Sequence, residues 1–275
     1  MGRIREIFRH RQLLWLLTRR DLQVRYRGSS LGFLWTLIKP LIMLATYYLV
    51  LGQILGAAKG IEGFGIYVFT GLTIYMLFSE SVGAAAGSIV NNAGLVKKIY
   101  VPREIFPLAS VGGALFLVGM QFLVLVAAVV ASQSWPDLGG IVYFLPSVLL
   151  VLIYSLALAL VLSVLNVYLR DLQYITEILL TLLMWASPIV YSWQMVRDVI
   201  ARFGLPSWLL EVYTNNPLTL AVLGFHRALW GGGTAADYPP DLWLRMLIAG
   251  AVGIIVLMLA QVVFQRRQGN VAQEL

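Results

Sequence analysis

Six apolar runs of about 20 residues or more divide this chain, at about 33–56, 64–86, 105–131, 141–167, 174–192 and 243–264. A helix needs roughly 20 such residues to cross the hydrocarbon core of a bilayer. Backbone polar groups in lipid must be satisfied within the spanning element, which makes runs of this length helices. The sequence therefore predicts an all-α integral membrane protein with six transmembrane helices. Composition agrees, with 60% of residues hydrophobic and 12% charged, against about 25% charged in soluble domains. A soluble chain of 275 residues has no means of hiding so much apolar surface.

Positive charge sets the expected orientation. Eight arginines precede residue 32: Arg3, Arg5, Arg9, Arg11, Arg19, Arg20, Arg25 and Arg27. With the N-terminus inside, these join Lys97, Lys98, Arg103, Arg170, Arg266 and Arg267 on one side, fourteen in all. Five, Lys59, Arg197, Arg202, Arg227 and Arg245, fall on the other. Cytoplasmic loops carry the excess of Lys and Arg, so both termini are expected in the cytoplasm. The basic stretch ahead of the first run is too long for a signal peptide, and no small-residue cleavage site follows it. Ile4, Ile7, Phe8, Leu14 and Trp15 recur there at helical spacing between arginines, the pattern of an amphipathic helix lying on the bilayer surface. Simple anchoring to anionic lipid is the equal alternative for this segment.

Two connections stand out. Residues 88–107, SIVNNAGLVKKIYVPREIFP, form a short basic segment punctuated by proline between two stretches of hydrocarbon. Residues 204–233 hold two apolar pieces of about 10 and 14 residues hinged at Asn215-Asn216-Pro217. Each piece is too short to cross, and together they suit an outer re-entrant helical hairpin. An external soluble cap is the alternative, although Trp208, Leu209, Leu210, Leu218 and Leu220 would make it a sticky one. Internal repetition is confined to Arg-Asp-Leu at 20–22 and again at 170–172, too little to argue for duplication or for an inverted-repeat secondary transporter.

Several chemistries find no support. No G-x-x-x-x-G-K-[ST] is present, so a Walker A loop cannot cradle nucleotide phosphates here. Cysteine is absent and only His10 and His226 occur, which disfavours a metal site or a histidine-based triad within one chain. The acidic residues are scattered, and an enzyme acting alone is not expected. Glu80, in the inner third of the second run, is an ionisable group inside hydrocarbon and so a functional candidate; an ion pair with a nearby arginine is the competing explanation. Lys39 can snorkel to the headgroups as an anchor. Tyr47, Tyr48 and Tyr75 lie away from the headgroup level, where a tyrosine hydroxyl needs a partner. They are candidates to line a path for sugars, with packing as the alternative.

RRDLQVRYRGSSLGFLWTLIKPL (19–41) and NNAGLVKKIYVPREIFPLA (91–109) resemble the ABC-2 type permeases that export polysaccharides or polyol-phosphate polymers. NVYLRDLQYI (166–175), MWASPIVY (184–191) and NNPL (215–218) match later blocks of that family in the same order. The resemblance covers about residues 12–266, and the Lys-Lys-Ile-Tyr-Val-Pro-Arg-Glu block is its most specific piece. It implies an interface segment over 1–31, a transmembrane domain over 32–267 and a cytoplasmic tail over 268–275. It also implies a homodimer working with two copies of a separate ATPase subunit, so that ATP and magnesium are bound by the partner and not by this chain.

The same resemblance puts a coupling helix near 89–98 within a loop over 88–104. Asn91, Asn92, Leu95, Lys97, Lys98, Tyr100, Pro102, Arg103 and Glu104 are the implied coupling residues. The hairpin over 204–230 corresponds to outer helices that close the exit. Arg25, Arg27 and Arg170, with Arg103 as a further candidate, stand at the cytoplasmic entrance, where guanidinium groups pair bidentately with phosphate oxygens; holding anionic lipid is the alternative role. The function implied is export of a lipid diphosphate-linked polysaccharide such as O-antigen across the bacterial inner membrane. A teichoic acid or capsular polymer is the alternative cargo, a drug or lipid the more remote one. From another class, an ion-coupled secondary transporter would have Glu80 as its sole intramembrane acid.

Overall fold

The computed structural model describes residues 9–29, 31–54, 56, 60–98 and 101–275, and every regular element among them is helical. The chain opens with α1 (Arg11–Tyr26) and α2 (Trp35–Thr46), which continues as a π-helical stretch over Tyr47–Ile54. Then come α3 (Phe64–Ala86), the short α4 (Ser88–Asn91) and α5 (Ala93–Lys98), α6 (Ile105–Ser132) and α7 (Phe144–Tyr168). The remaining helices are α8 (Leu172–Trp185), α9 (Trp193–Arg202), α10 (Trp208–Thr214), α11 (Pro217–Leu229), α12 (Leu242–Arg267) and α13 (Val271–Glu274).

Among the described residues, five stretches are long and apolar enough to cross a bilayer: Trp35–Ile54, Phe64–Ala86, Ile105–Ser132, Leu138–Tyr168 and Ala235–Arg267. They coincide with five of the six apolar runs. The run at 174–192 behaves differently. Its helix, α8, has 14 residues and spans only about 21 Å, short of the ~30 Å hydrocarbon core. After Trp185 the backbone turns irregular through Ser187-Pro188, because proline lacks the N–H that the next helical turn requires. The carbonyls released there are used: the Tyr67 hydroxyl donates to Pro188 O at 3.0 Å and to Tyr191 O at 2.9 Å. Irregular backbone at such a place is tolerated where protein satisfies it.

α3 is the hub of the bundle. It packs against α6, α7, α8 and α11, and most of its apolar window is buried while the other spans keep broad faces exposed. Its sequence fits that position. Gly71, Thr70, Thr73, Ser81, Ala85 and Ala86 are buried along it, small residues of the kind that let helices approach closely in a membrane. Thr73 Oγ1 accepts a 3.1 Å hydrogen bond from Gln121 Nε2 of α6. Outside the hub, the Tyr154 hydroxyl ties α7 to Ala249 O of α12 at 3.0 Å. The leucines, isoleucines and valines of α12 from Leu244 to Val263 are largely exposed, the face expected to meet lipid.

One end of the bundle collects the chain's basic loops. α1 packs beside the start of α6 and α5 contacts α13, while the Tyr168 hydroxyl donates to Arg267 O at 2.7 Å. Described residues Arg20, Arg25, Lys97, Lys98, Arg103, Arg170, Arg266 and Arg267 thus share one end. Ile4, Ile7 and Phe8 of the expected amphipathic segment lie outside the described residues. Its described part, α1, buries Leu17 and Thr18 and leaves Trp15, Leu16 and Val24 about 60% exposed, so it has apolar surface on both sides.

The opposite end holds the broken helices. α10 and α11 meet at Asn215-Asn216-Pro217, the hinge read from sequence. Asn216 Oδ1 accepts from Leu218 N at 2.9 Å and Pro217 occupies the first turn, both standard features of a helix start. Ten of the thirteen residues of α11 are buried, against α7, α3 and the turn at Leu138–Tyr143. The second piece is therefore a wedge inside the bundle. α9, which precedes the hinge, was not anticipated; Ser192 caps it by accepting from Met195 N at 3.3 Å.

Candidate functional site

The basic end carries a cleft of about 510 Å³ whose walls come from α1, the end of α3, the 88–92 segment and the start of α6. Arg20, Asp21, Arg25, Glu80, Asn91 and Asn92 are its polar lining, with Ser88 and Ser110. α1 is held over it by side-chain packing and one buried hydrogen bond, from Thr18 Oγ1 to Ala109 O at 3.2 Å. Gly112 gives Thr18 its room, since a Cβ there would lie 3.1 Å from Thr18 Oγ1.

Two arginines of α1 point into this cleft, and each is engaged. Arg25 Nη2 donates to Glu80 Oε2 at 2.8 Å. Glu80 sits six residues before the end of α3, about 9 Å along the axis, where an unpaired carboxylate would be costly. The side chains of the pair remain 45% and 24% exposed, so it contributes only about 0.2–1 kcal/mol of stability. Burial raises the hydroxyl pKa of neighbouring Tyr26, with the Arg25 charge pulling it the other way. Arg20 donates through Nε and Nη2 to Asp21 Oδ1, at 3.0 and 2.7 Å, and through Nη2 to Asn92 Oδ1 at 2.6 Å. Asn92 in turn donates to Ser88 O at 2.7 Å. One arginine thus joins α1 to the segment expected to couple.

That segment has two faces. Leu95 and Val96 pack on an inner apolar cluster containing Ile89, Ile105, Phe264 and Val271, while Lys97 and Lys98 are exposed at the end of α5. Pro102 precedes the turn into α6. Glu104 is 2% exposed and accepts from Gln261 Nε2 of α12 at 3.3 Å, so it braces the interior. Arg103 is half-buried, with Nη1 unpartnered among the described residues. Tyr100 lies outside the described residues.

The other candidates separate. Arg27 and Arg170 are exposed and are not among the residues lining the cleft that contains Arg25. Tyr75 is 6% exposed and its hydroxyl donates to Leu180 O, between α3 and α8 within the subunit. Tyr47 is half-buried against the main core, Tyr48 is 44% exposed on the same π-helical stretch, and Lys39 is exposed on α2. Arg20 and Asp21 were missed as site residues. Their sequence signals, the Arg-Asp-Leu triplet and their place in the 19–41 block, say nothing of Asn92 some seventy residues on.

At the opposite end, Arg245 Nη1 donates to Glu211 Oε2 at 2.6 Å and to Asn215 Oδ1 at 2.9 Å. This pairing holds the Glu211 carboxyl below its ordinary pKa. It pins α10 to the first turn of α12. Beneath it His226, fully buried, stacks on Tyr67 with ring centroids 3.9 Å apart.

Membrane-crossing helices, a polar cleft at a basic end and a broken-helix wedge at the other make up the architecture of a polytopic transport subunit. The chain matches the ABC-2 type transporter family over residues 12–230 and belongs to it. It is 30% identical over 272 residues to an O-antigen export system permease protein, RfbA, of Myxococcus xanthus, covering 99% of this chain and 98% of that one. It is 27% identical over 254 residues to the protein of the same name from Klebsiella pneumoniae, covering 89% of this chain and 90% of that one. The chain is thus a multi-pass transport permease of the ABC-2 type.

Proposed function

We propose that this chain is the channel-forming permease of an ATP-driven exporter that moves a lipid diphosphate-linked O-antigen polysaccharide across the bacterial inner membrane. The observation that carries it is the likeness to O-antigen export permeases over almost the whole chain. Two copies form the conduit, and two copies of a separate ATPase subunit bind ATP and magnesium. The basic end faces the cytoplasm together with both termini, in line with the excess of Lys and Arg there.

In this reading the segment over 88–98 receives the stroke of the ATPase. Exposed Lys97 and Lys98 offer charge to a partner, while Leu95 and Val96 transmit motion to the inner core. The Arg20–Asn92 contact passes it to α1, and Glu104–Gln261 to the last span. The hairpin of α10 and α11 acts as the outer re-entrant gate. Glu80 is engaged by Arg25, which leaves an ion-coupled secondary mechanism without its proposed free carboxylate.

Co-expression with the ATPase subunit of the same exporter tests the reading. The two proteins are expected to co-purify, and the doubly altered K97E, K98E chain to lose about tenfold or more of export, read as surface polysaccharide. Unchanged export and unchanged ATP hydrolysis in that variant would overturn the coupling assignment. Normal surface polysaccharide in cells lacking this chain would overturn the cargo.

A further inference from the structure

At the end opposite the basic loops, α7 and α12 begin side by side, with the Tyr143 and Trp243 rings edge to face at 5.5 Å. A pocket of about 210 Å³ opens there, and Tyr143, Trp243, Tyr238, Arg227 and Asp241 supply its functional groups. It shares no residue with the cleft beneath α1. Arg227, half-buried at the end of α11, is set up for an anion. Its guanidinium stacks over the Tyr238 ring, 5.0 Å from the centroid, and stacking leaves the N–H groups on its edge free. The backbone beneath is fixed as well. A Cβ at Gly140 would run into Arg227 O, so the turn over Leu138–Tyr143 seats directly on the end of α11. Asp237 is already taken, by Thr234 and by Gln194 Nε2 at 3.0 Å.

Asp241 is set up for a cation. It precedes α12 in the left-handed region, with φ 55° and ψ 32°, where a side chain other than glycine's is strained. The usual compensation for an aspartate at a helix start is a hydrogen bond to a first-turn N–H, and Asp241 does not make it. Among the described residues, neither Arg227 nor Asp241 forms an ion pair or a side-chain hydrogen bond, with each other or with any other group.

Charges of opposite sign that line one cavity without meeting, beside aromatic rings, match a zwitterion. A free anion would be opposed by Asp241, and a free cation by Arg227. Position narrows the choice further. α7 and α12 run on from the pocket with exposed apolar residues, Leu145 at 61% and Leu244 at 56% among them, so it stands where lipid-facing helices meet water. Tyr and Trp collect at that level, and an ammonium group gains from their faces as well as from a carboxylate.

We propose that this pocket holds the headgroup of a zwitterionic phospholipid with a primary ammonium, phosphatidylethanolamine. Arg227 takes the phosphate, and Asp241 takes the ammonium with Tyr143 and Trp243 beside it. A primary ammonium has three hydrogens to donate to a carboxylate, and a quaternary choline group has none. Asp241 is then the selecting residue. It repels the phosphate of any lipid that brings no cation of its own, so phosphatidylglycerol is disfavoured. The bound lipid bridges the end of α11 to the start of α12, whatever cargo the exporter moves.

Hydrogen exchange of the full-length, delipidated protein in detergent tests this, with phosphatidylethanolamine, phosphatidylcholine or phosphatidylglycerol titrated in. Occupancy is read at amides 241–244, around the first turn of α12, where N–H groups lack helical acceptors and exchange readily without a ligand. Phosphatidylethanolamine is expected to protect them at about threefold or more lower concentration than either other lipid. D241N suits the left-handed backbone and is expected to keep the thermal stability of the native protein. Its preference for phosphatidylethanolamine over phosphatidylglycerol is expected to fall about two- to fivefold, the range of a part-exposed ion pair, with phosphatidylglycerol bound equally or more tightly. R227Q is expected to weaken both lipids about fivefold or more. R227K, which keeps the charge without the planar fork, is expected to fall between, and with D241N it carries the test if R227Q does not fold.

An unchanged lipid preference in D241N overturns the proposal, because an Asp241 that only starts the helix would leave it unchanged. Equal protection by all three lipids in the native protein overturns it too, as does native lipid binding in R227Q and R227K. If released O-antigen polysaccharide protects the same amides and no phospholipid does, the pocket is a glycan site and the lipid assignment is wrong.

Discussion

Gly71 shows how much one missing side chain allows. A Cβ at this position of α3 would lie 2.9 Å from His226 Nε2 and 3.2 Å from Ile189 Cα. Its absence lets α11 and the irregular backbone after α8 close on the hub together. His226 then donates from Nε2 to Tyr67 O at 2.9 Å, while the Tyr67 hydroxyl donates to Pro188 and Tyr191. G71A is expected to destabilise the protein by about 1–3 kcal/mol, the usual cost of overpacking a fitted interior, read as a lowered melting temperature in detergent. G250A makes the contrast, since no atom lies within 4 Å of a Cβ there, and it is expected to leave stability unchanged or raise it by up to about 1 kcal/mol, the helical advantage of alanine over glycine. Neither Gly71 nor His226 stood out in the sequence. A glycine among apolar residues looks the same whether it faces lipid or a buried ring.

At the scale of elements, the chain relies on helices too short to cross. α10 has seven residues and would be marginal alone, yet its C-terminal half is fixed from two sides. Trp193 Nε1 donates to Thr214 Oγ1 at 2.9 Å, and Arg245 grips Glu211 and Asn215 from α12. Because Arg245 holds the Glu211 carboxyl below its ordinary pKa, the docked helix binds fewer protons than the released one between the two values. Docking is thus favoured as pH rises through that window and lost as pH falls through the lowered value, on the acid side of the ordinary glutamate pKa of about 4.3. The protection factor for hydrogen exchange at amides 208–215, which removes the intrinsic pH dependence of the chemistry, is expected to fall on acidification in the native protein. In R245Q the protection factor is expected to be low already at neutral pH and insensitive to acid. The hinge residues of this hairpin were legible in sequence, because Asn-Asn-Pro is turn and helix-start chemistry. The burial of α11 was not, since its apolar face suits lipid and protein equally well.

At the scale of the whole molecule, the basic end is braced from both ends of the described chain. α1 reaches Asn92 through Arg20, and α13 lies against α5. Val271 is fully buried in the cluster that also holds Ile89 and Ile105, with Leu95 and Val96 packed on it. Through Val271 the tail over 268–275 is thus part of the packing beneath the segment over 88–98. V271D places a carboxylate in that cluster, which α13 escapes only by undocking. Exchange at amides 89–98 is then expected to rise about tenfold, equivalent to ~1.4 kcal/mol of local stability, with the rates of α10 unchanged. A uniform rise across the protein would instead indicate global destabilisation.

Apolar run length alone determined that this is an all-α membrane protein and where five long helices lie, because lipid imposes one rule on every residue of a span. Charge placement grouped the loops now found at one end, and block resemblance pointed to the family. Tertiary structure decided the rest: that the run at 174–192 breaks after 14 residues of helix, that α11 is a buried wedge, and that Glu80 meets Arg25 across 55 positions of sequence. The physical reason is range. Hydrophobic transfer acts residue by residue and is additive along the chain, so it can be read in order. Ion pairs, close approaches at glycine and the satisfaction of irregular backbone depend on partners that only the packed fold brings within 3 Å or so.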